Sequence, residues 1–282
     1  MRAACISERE ITSLKTIAVE GGAFELYPLR FRFMARRSLH FPEGESANWL
    51  RGRLGKALMG ESRAAYERLF APSSQEGPSG LRDLPRPFVL RVAALDGARI
   101  DPGDSFQIRL NLFITRASAI APVREALRAA LEGELTDVDG DELLRLPLVP
   151  RQSRVRRVRV RFLTATELKG GAEPSFGVLF SRIRDRVSTL RALYGGGPLQ
   201  IDFRGMGQRA EQVRTTRCEL RRLEGERVSQ ATGQRHPLGG WIGLAEYEGE
   251  LEEFAPYLEA ARFTGVGRQT VWGKGEIAWE AF

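Results

Sequence analysis

Two stretches of this chain alternate apolar and basic residues with the period of two that a half-buried strand requires. In the first, within Phe24 to Phe41, Leu29, Phe31 and Phe33 share one face and Arg30 and Arg32 the other. In the second, Val155 to Thr166, the residues Val158, Val160 and Phe162 alternate with Arg157, Arg159 and Arg161. Apolar residues at helical spacing follow each strand. After the first, Ser46 is the expected N-cap of a helix in which Leu50, Leu54, Ala57 and Leu58 form a stripe, while Arg51, Arg53 and Lys56 face outward. After the second, Pro174 to Tyr194 reads as a helix with Phe176, Leu179, Ile183, Val187 and Leu190 inward, stopped by Gly195-Gly196-Gly197-Pro198.

The remaining elements complete the same rhythm in both halves. Ala71 to Gly80, rich in Pro, Ser and Gly, is a loop. Pro87 to Leu95 and Ser105 to Thr115 read as strands on either side of a turn at Asp101-Pro102-Gly103-Asp104. Pro122 to Glu132 has helical spacing through Val123, Leu127 and Leu131, and Leu144-Arg145-Leu146 is extended. Strand, helix, two strands, helix, strand is the order of a ferredoxin-like βαββαβ unit. Pro147 to Ser153 is the expected linker. Beyond the second strand and helix, Val213 to Leu223, Trp241 to Glu248 and Glu276 to Phe282 read as strands, and Leu251 to Ala261 as a helix with Leu251, Phe254 and Leu258 inward. The expected fold is therefore α+β, two tandem ferredoxin-like domains over residues 1–150 and 151–282, each with an antiparallel sheet.

Charge narrows the partner. The chain of 282 residues has a formal net charge of +7, and of its 43 basic residues only Lys15, Lys56, Lys169 and Lys274 are lysines. Arginine grips phosphate bidentately and stacks on bases, which suits nucleic acid; GC-rich codon usage enriches arginine too, so composition alone leaves both open. Nothing approaches the roughly 20 uninterrupted apolar residues of a membrane helix. The first ten residues alternate charge without an apolar core, so no secretory signal is visible and a cytoplasmic location is expected. Cys5 and Cys218 are isolated, and with only two histidines no usual zinc signature can form, so neither metal nor cofactor is expected.

The stretch with most chemistry is Phe263 to Ile277, where Gly265-Val266-Gly267 and Gly273-Lys274-Gly275 bracket Arg268 and Trp272. Paired glycines admit positive φ and close backbone approach, presenting N–H groups to phosphate beside Arg268 and Lys274. The alternative is a glycine hairpin between two strands. It is not a Walker loop, because Gly273-Lys274 is followed by Gly275 and Glu276 rather than Ser or Thr. Nor is it a dinucleotide fingerprint, since no helix and second strand can follow so near Phe282. The row Arg157, Arg159 and Arg161 raises a parallel question: a sheet face of one sign is costly unless phosphates or acids cover it, or water solvates it.

Residues Phe162 to Lys169, Thr232-Gly233-Gln234, Leu238 to Gly243 and the two C-terminal glycine pairs resemble the CRISPR-associated pre-crRNA processing endoribonucleases of the RAMP superfamily. Trp49 to Leu58 resembles the first-helix motif of that family. The resemblance implies a basic cleft between the two domains and metal-independent cleavage of repeat RNA by the 2′-hydroxyl on the adjacent phosphate. RAMP subunits that bind crRNA without cutting it share the glycine loop, so such a subunit of an effector complex is the alternative.

That chemistry needs a base, an acid and cations at the phosphate. His40, at the end of the first strand and just before the basic helix, is the leading candidate. Family members also use lysine or tyrosine, which keeps Lys56 and Tyr66 in view, while His236 lies in a turn and is expected to be solvated. Arg51, Arg53, Arg157, Arg159, Arg161, Gly265, Gly267, Arg268, Gly273, Lys274 and Gly275 are the expected RNA contacts, and Trp49 and Trp272 either stack on bases or join the core. The expected partners are CRISPR repeat RNA and, for the alternative, effector-complex proteins, with the chain a monomer or homodimer.

Overall fold

The computed structural model describes residues 22–72, 84–115, 119–150, 153–168, 174–223, 226–228, 235–237 and 239–282. The first alternating stretch becomes β1 (Ala23–Met34), which places Leu29, Phe31 and Phe33 in full burial. A short β2 (Leu39–His40) leads to α1 (Ser46–Glu61) and α2 (Arg63–Phe70). Then come β3 (Phe88–Arg91), β4 (Arg99–Ile100), β5 (Ser105–Leu112), α3 (Ile120–Leu131), β6 (Glu134–Asp139) and β7 (Leu144–Pro147). The sheet order is β3-β5-β1-β6 with antiparallel neighbours, the order that a ferredoxin-like unit builds from its second, third, first and fourth strands. Leu50, Leu54 and Leu58 of α1 and Val123, Leu127 and Leu131 of α3 cover one face.

The second half repeats the topology. It contains β8 (Arg157–Thr166), α4 (Phe176–Tyr194), α5 (Phe203–Glu211), β9 (Arg214–Leu223), the small hairpin β10 (Glu226–Val228) and β11 (Arg235–Pro237), β12 (Gly240–Glu248), α6 (Ala255–Thr264) and β13 (Ile277–Ala281). Its sheet order, β13-β8-β12-β9, is again that of a ferredoxin-like unit. Val158, Val160 and Phe162 pack under Phe180, Ile183 and Val187 of α4 and Leu258 of α6. The fold is thus α+β, two ferredoxin-like units in tandem with antiparallel sheets.

The halves join because β1 changes its apolar face at Pro28. Phe24 and Leu26 point away from α1 and α3 and, with Val89, Phe113 and Leu146, enter the core built on α4 and α6. Farther along the same sheet face the residues turn polar: Arg30 and Arg32 of β1 pair with Asp139 at 3.2 Å and with Asp137, and Arg109 and Arg91 stand opposite each other.

Four expectations change. Ser46 is the first helical residue rather than the cap; its hydroxyl donates back to Pro42 O at 2.8 Å, and Asp96 receives the Gly44 N–H at 2.8 Å at the helix entrance. The fourth strand of the first unit is β6, whose polar alternation conceals it, while Leu144 to Leu146 forms β7 along the start of β1. The strand expected to Leu95 ends at Arg91 and gives way to a 3₁₀ turn at Ala93–Leu95. The last helix starts at Ala255, after a turn from Leu251, and α2 and α5 are additional helices. Most of the loop expected at Ala71 to Gly80, and Lys169, Thr232-Gly233-Gln234 and Leu238 of the resembling motifs, lie outside the described residues. No described helix is long and apolar enough to cross a membrane.

Candidate functional site

The segment after α6 is not a hairpin between strands, because it links that helix to β13 through a 3₁₀ turn at Thr270–Trp272. Its glycines exist for close approach. A Cβ on Gly267, at φ +81°, would lie 2.3 Å from Glu167 O, and one on Gly275, at φ +69°, would lie 2.0 Å from Val266 O. Backbone bonds fix the result: Val266 N–H donates to Gly275 O at 2.9 Å, Gly275 N–H to Ala165 O at 3.1 Å and Arg268 N–H to Glu167 O at 3.2 Å. On the other side, a Cβ on Gly273 would meet Ala47 Cβ at 2.5 Å. The segment is therefore wedged between the end of β8 in the second unit and the first turn of α1 in the first.

Charge on this wedge is positive. Arg268, three-quarters exposed, lies 3.5 Å from Glu167. Lys274 is partly buried; desolvation pushes its ammonium below the usual lysine range, and the attraction of Glu167 opposes this only in part. Two cations thus face one carboxylate beside a backbone held in left-handed turns. Burial disfavours the charged form of Lys274, and an arriving anion offsets that cost.

The expected catalytic residues are placed but not assembled. His40 ends β2 with its backbone opposite Arg99 and its side chain exposed. Lys56 is exposed on α1, and Tyr66 on α2 stacks on Phe70 with centroids 5.4 Å apart. Among the described residues no hydrogen bond or ring contact joins these three side chains. His236 lies in β11 opposite Arg227. The described residues also contain no group of three or more His, Cys, Asp or Glu side chains gathered as metal ligands.

The basic side of α1 is partly engaged within the fold. Arg53 donates to Ala130 O at 2.6 Å, at the end of α3, and its guanidinium lies 5.1 Å from the Trp49 ring centre. Trp49 in turn meets Phe41 edge-on at 5.1 Å, and Arg51 lies 5.3 Å from the Phe70 ring centre. On β8, acids cover the arginine row. Arg159 bonds Glu246 of β12 at 2.7 Å and Glu280 of β13 at 3.0 Å, Arg161 reaches Glu280 at 3.2 Å, and Arg157 lies 4.0 Å from Glu248. Arg157 and Arg161 remain about half exposed, at 45% and 54%, whereas Arg159 is 28% exposed.

Sequence reading missed Arg91, Asn111 and Arg186, which meet beside the wedge. Arg91 and Asn111 are buried in β3 and β5, and Arg186 comes from α4. Burial, more than any neighbour, lowers the pKa of both arginines, that of Arg186 to about 9, which leaves it charged at neutral pH. The available signal was an arginine inside the apolar run Phe88-Val89-Leu90-Arg91-Val92, on the strand face that Val89 buries.

The family model of the CRISPR-associated endoribonuclease Cas6 matches residues 160–277, and a family of N-terminal domains matches residues 24–146. No curated protein is similar to the chain at the level of sequence. Among solved structures, Thermus thermophilus Cas6 is similar over 92% of this chain and 99% of its own, at 16% identity and a TM-score of 0.55. A Cas6 product complex is similar over 91% of this chain and 99% of that one, at 17% identity and a TM-score of 0.55. A partial Cas6–RT–Cas1–Cas2 complex is similar over 94% of this chain and 47% of that one, at 10% identity and a TM-score of 0.61. The second unit thus matches the family of CRISPR-associated Cas6 endoribonucleases in sequence, and almost the whole described chain shares its fold with solved Cas6 structures.

Proposed function

We propose that the chain converts pre-crRNA to crRNA by cutting CRISPR repeat RNA without a metal ion. In this reading a base takes the proton of a 2′-hydroxyl, O2′ attacks the adjacent phosphorus, and the bond to O5′ breaks as an acid protonates the leaving oxygen. The products are a 2′,3′-cyclic phosphate and a 5′-hydroxyl. Residues 1–150 supply the chemistry through His40, with Lys56 and Tyr66 as further candidates, and residues 151–282 supply the grip.

The observation that carries the reading is the wedge itself, a glycine segment with two cations to one carboxylate, set against the first turn of α1. The RNA backbone lies along Gly265 to Gly275 with Arg268 and Lys274, and developing negative charge on the phosphate is stabilised by such preset donors and cations. Arg51 on α1 and the half-exposed Arg157 extend the contact surface, and Arg53, Arg159 and Arg161 add to it by exchanging partners inside the fold. The chain acts in the cytoplasm, as a monomer or homodimer.

The test is cleavage of cognate repeat RNA in excess EDTA by the wild type and by His40→Ala, with binding recorded alongside. Cutting that His40→Ala abolishes while binding persists supports both the activity and the histidine; cutting that survives moves the chemistry to Lys56, Tyr66 or His236. A second reading, an RNA-binding subunit that does not cut, is favoured by the lack of any hydrogen bond or ring contact among His40, Lys56 and Tyr66. Tight binding with no cutting by either protein would establish it.

A further inference from the structure

An α-helix leaves its last carbonyls without backbone partners, and they are normally met by a glycine-based turn or by water. In α6 the chain leaves at Gly265, whose N–H donates to Ala261 O at 2.8 Å, and the N–H groups that would come next donate elsewhere: Val266 to Gly275 and Arg268 to Glu167. Arg262, Phe263 and Thr264 are therefore left with carbonyls to satisfy. Side chains take all three. Arg91 Nη2 donates to Arg262 O at 3.4 Å and to Phe263 O at 3.3 Å, Asn111 Nδ2 donates to Phe263 O at 2.8 Å, and Arg186 Nε donates to Thr264 O at 2.9 Å.

Two of these donors come from the sheet of the first unit and the third from α4 of the second. The cap is costly. Arg91 Nε and Nη1 and Arg186 Nη2 are buried without a hydrogen-bond partner, and two like charges are brought near each other. Cations do suit a helix C-terminus, where the backbone dipoles end negative. A smaller polar cap would nevertheless serve stability alone at lower cost. What this cap adds is reach: it ties the first residue of the glycine segment to both halves at once, and Arg91 Nη2 would lie 3.1 Å from a Cβ on Gly265.

We infer that Arg91, Asn111 and Arg186 are positioning residues for RNA binding, which fix the point where the glycine segment leaves α6 and so hold its backbone in register with the first turn of α1. The inference rests on the reading of that segment as an RNA-backbone site. None of the three touches the RNA; each acts through the carbonyls of residues 262–264.

The experiment compares the full chain with Arg91→Met, Arg91→Lys and Asn111→Ala by three readouts: thermal unfolding, hydrogen exchange at the Val266 and Gly275 amides, and anisotropy with fluorescein-labelled cognate CRISPR repeat RNA. Exchange about tenfold faster at those two amides is expected in Arg91→Met and Asn111→Ala, with RNA affinity weaker by about tenfold, the size of one lost charge-assisted or buried hydrogen bond. Tm should stay within about 3 °C of wild type, because Met removes unpaired buried donors as it removes the cap. Arg91→Lys, which keeps one donor, should recover part of both losses. Exchange and affinity at wild-type levels in both variants would overturn the inference. So would a large fall in Tm with faster exchange throughout the chain, since that marks an ordinary core role. A wild type that does not bind the RNA defeats the proposed function, whereas the exchange readout, which needs no RNA, still decides the clamp; the two failures are distinguishable.

Discussion

Gly267→Ala offers the sharpest perturbation of the wedge, with Gly103→Ala as its control. Both glycines have positive φ, +81° and +91°, but a Cβ on Gly267 meets Glu167 O at 2.3 Å and a Cβ on Gly103 meets nothing within 4 Å. The shared backbone term is about 1–2 kcal/mol for an L-residue in the left-handed region. Only Gly267→Ala adds a clash, and relief requires a retreat of about 1 Å to reach an ordinary C···O separation. That retreat breaks the 3.2 Å bond from Arg268 N–H to Glu167 O, a further loss of about 1 kcal/mol. The expected cost is about 2–3 kcal/mol for Gly267→Ala and 1–2 for Gly103→Ala. If the segment yields locally, RNA affinity takes the loss, and 2 kcal/mol is about 30-fold in Kd. If the whole second unit yields, Tm falls by roughly 2–4 °C per kcal/mol. Anisotropy with repeat RNA and thermal unfolding separate the cases. Equal Tm and equal affinity for the two variants would refute the claim that close approach, rather than φ alone, is what these glycines supply.

Three other outcomes are expected. RNA affinity should fall steeply with salt, with a slope of about −0.7 per contacted phosphate on single strands, and a flat response in a titration from low to high salt would remove the phosphate-binding reading. The lowered pKa of Lys274 makes its charge unfavourable in the folded state, so its share of stability rises with pH through that pKa, while its share of RNA affinity falls over the same range because only the ammonium attracts phosphate. Affinity measured against pH should therefore drop earlier for wild type than for Lys274→Arg; coincident profiles count against Lys274 as a contact. Glu280→Gln should raise RNA affinity a few-fold at low salt by releasing Arg161 and part of Arg159, an effect of the order of an exposed ion pair, and unchanged binding would assign the β8 row to sheet stability alone.

Periodicity made the fold legible where one face is apolar. β1, β8, α3 and α4 bury the residues that their spacing selects, and α1 buries all of its stripe but the half-buried Ala57, because burial of Leu, Val and Phe dominates their placement. It failed where tertiary contacts rather than amphipathicity decide. β6, Glu134 to Asp139, lacks a regular apolar alternation: a register shift opposite Arg32 and Phe33 lets Leu135 and Val138 both pack on the first core, and Arg30 and Arg32 offer ion pairs to Asp139 and Asp137. The glycine segment could be singled out by composition, yet its partners at Ala47, Ala165 and Glu167 are set by the packing of the two units. For the same reason Arg91 reads in sequence as a strand arginine, although its role is defined by carbonyls more than 170 residues away.

The net charge of +7 is not spread evenly, and its distribution argues for where an anion belongs. On the open face of the second sheet the charges cancel. One row crosses all four strands as Glu280, Arg159, Glu246 and Arg217, with contacts of 3.0, 2.7 and 3.7 Å, so sheet pairing has already used those arginines. At either end of the glycine segment they do not cancel. Arg91, Arg109 and Arg186 gather at the end of α6, where Glu276 lies 4.0 Å from Arg109, and Arg268 and Lys274 share Glu167. Within that surplus Arg91, Arg186 and, in part, Lys274 are withdrawn from water, and a charge in a desolvated setting such as that of Lys274 acts on an incoming phosphate more strongly, and with less screening by salt, than the exposed row on β8 can. The cancelled face can serve a ligand only by giving up contacts the fold already makes. The glycine segment sets two cations against the one carboxylate of Glu167, a surplus that the row on β8 lacks, which is why the RNA backbone is assigned there first and to the arginine row second.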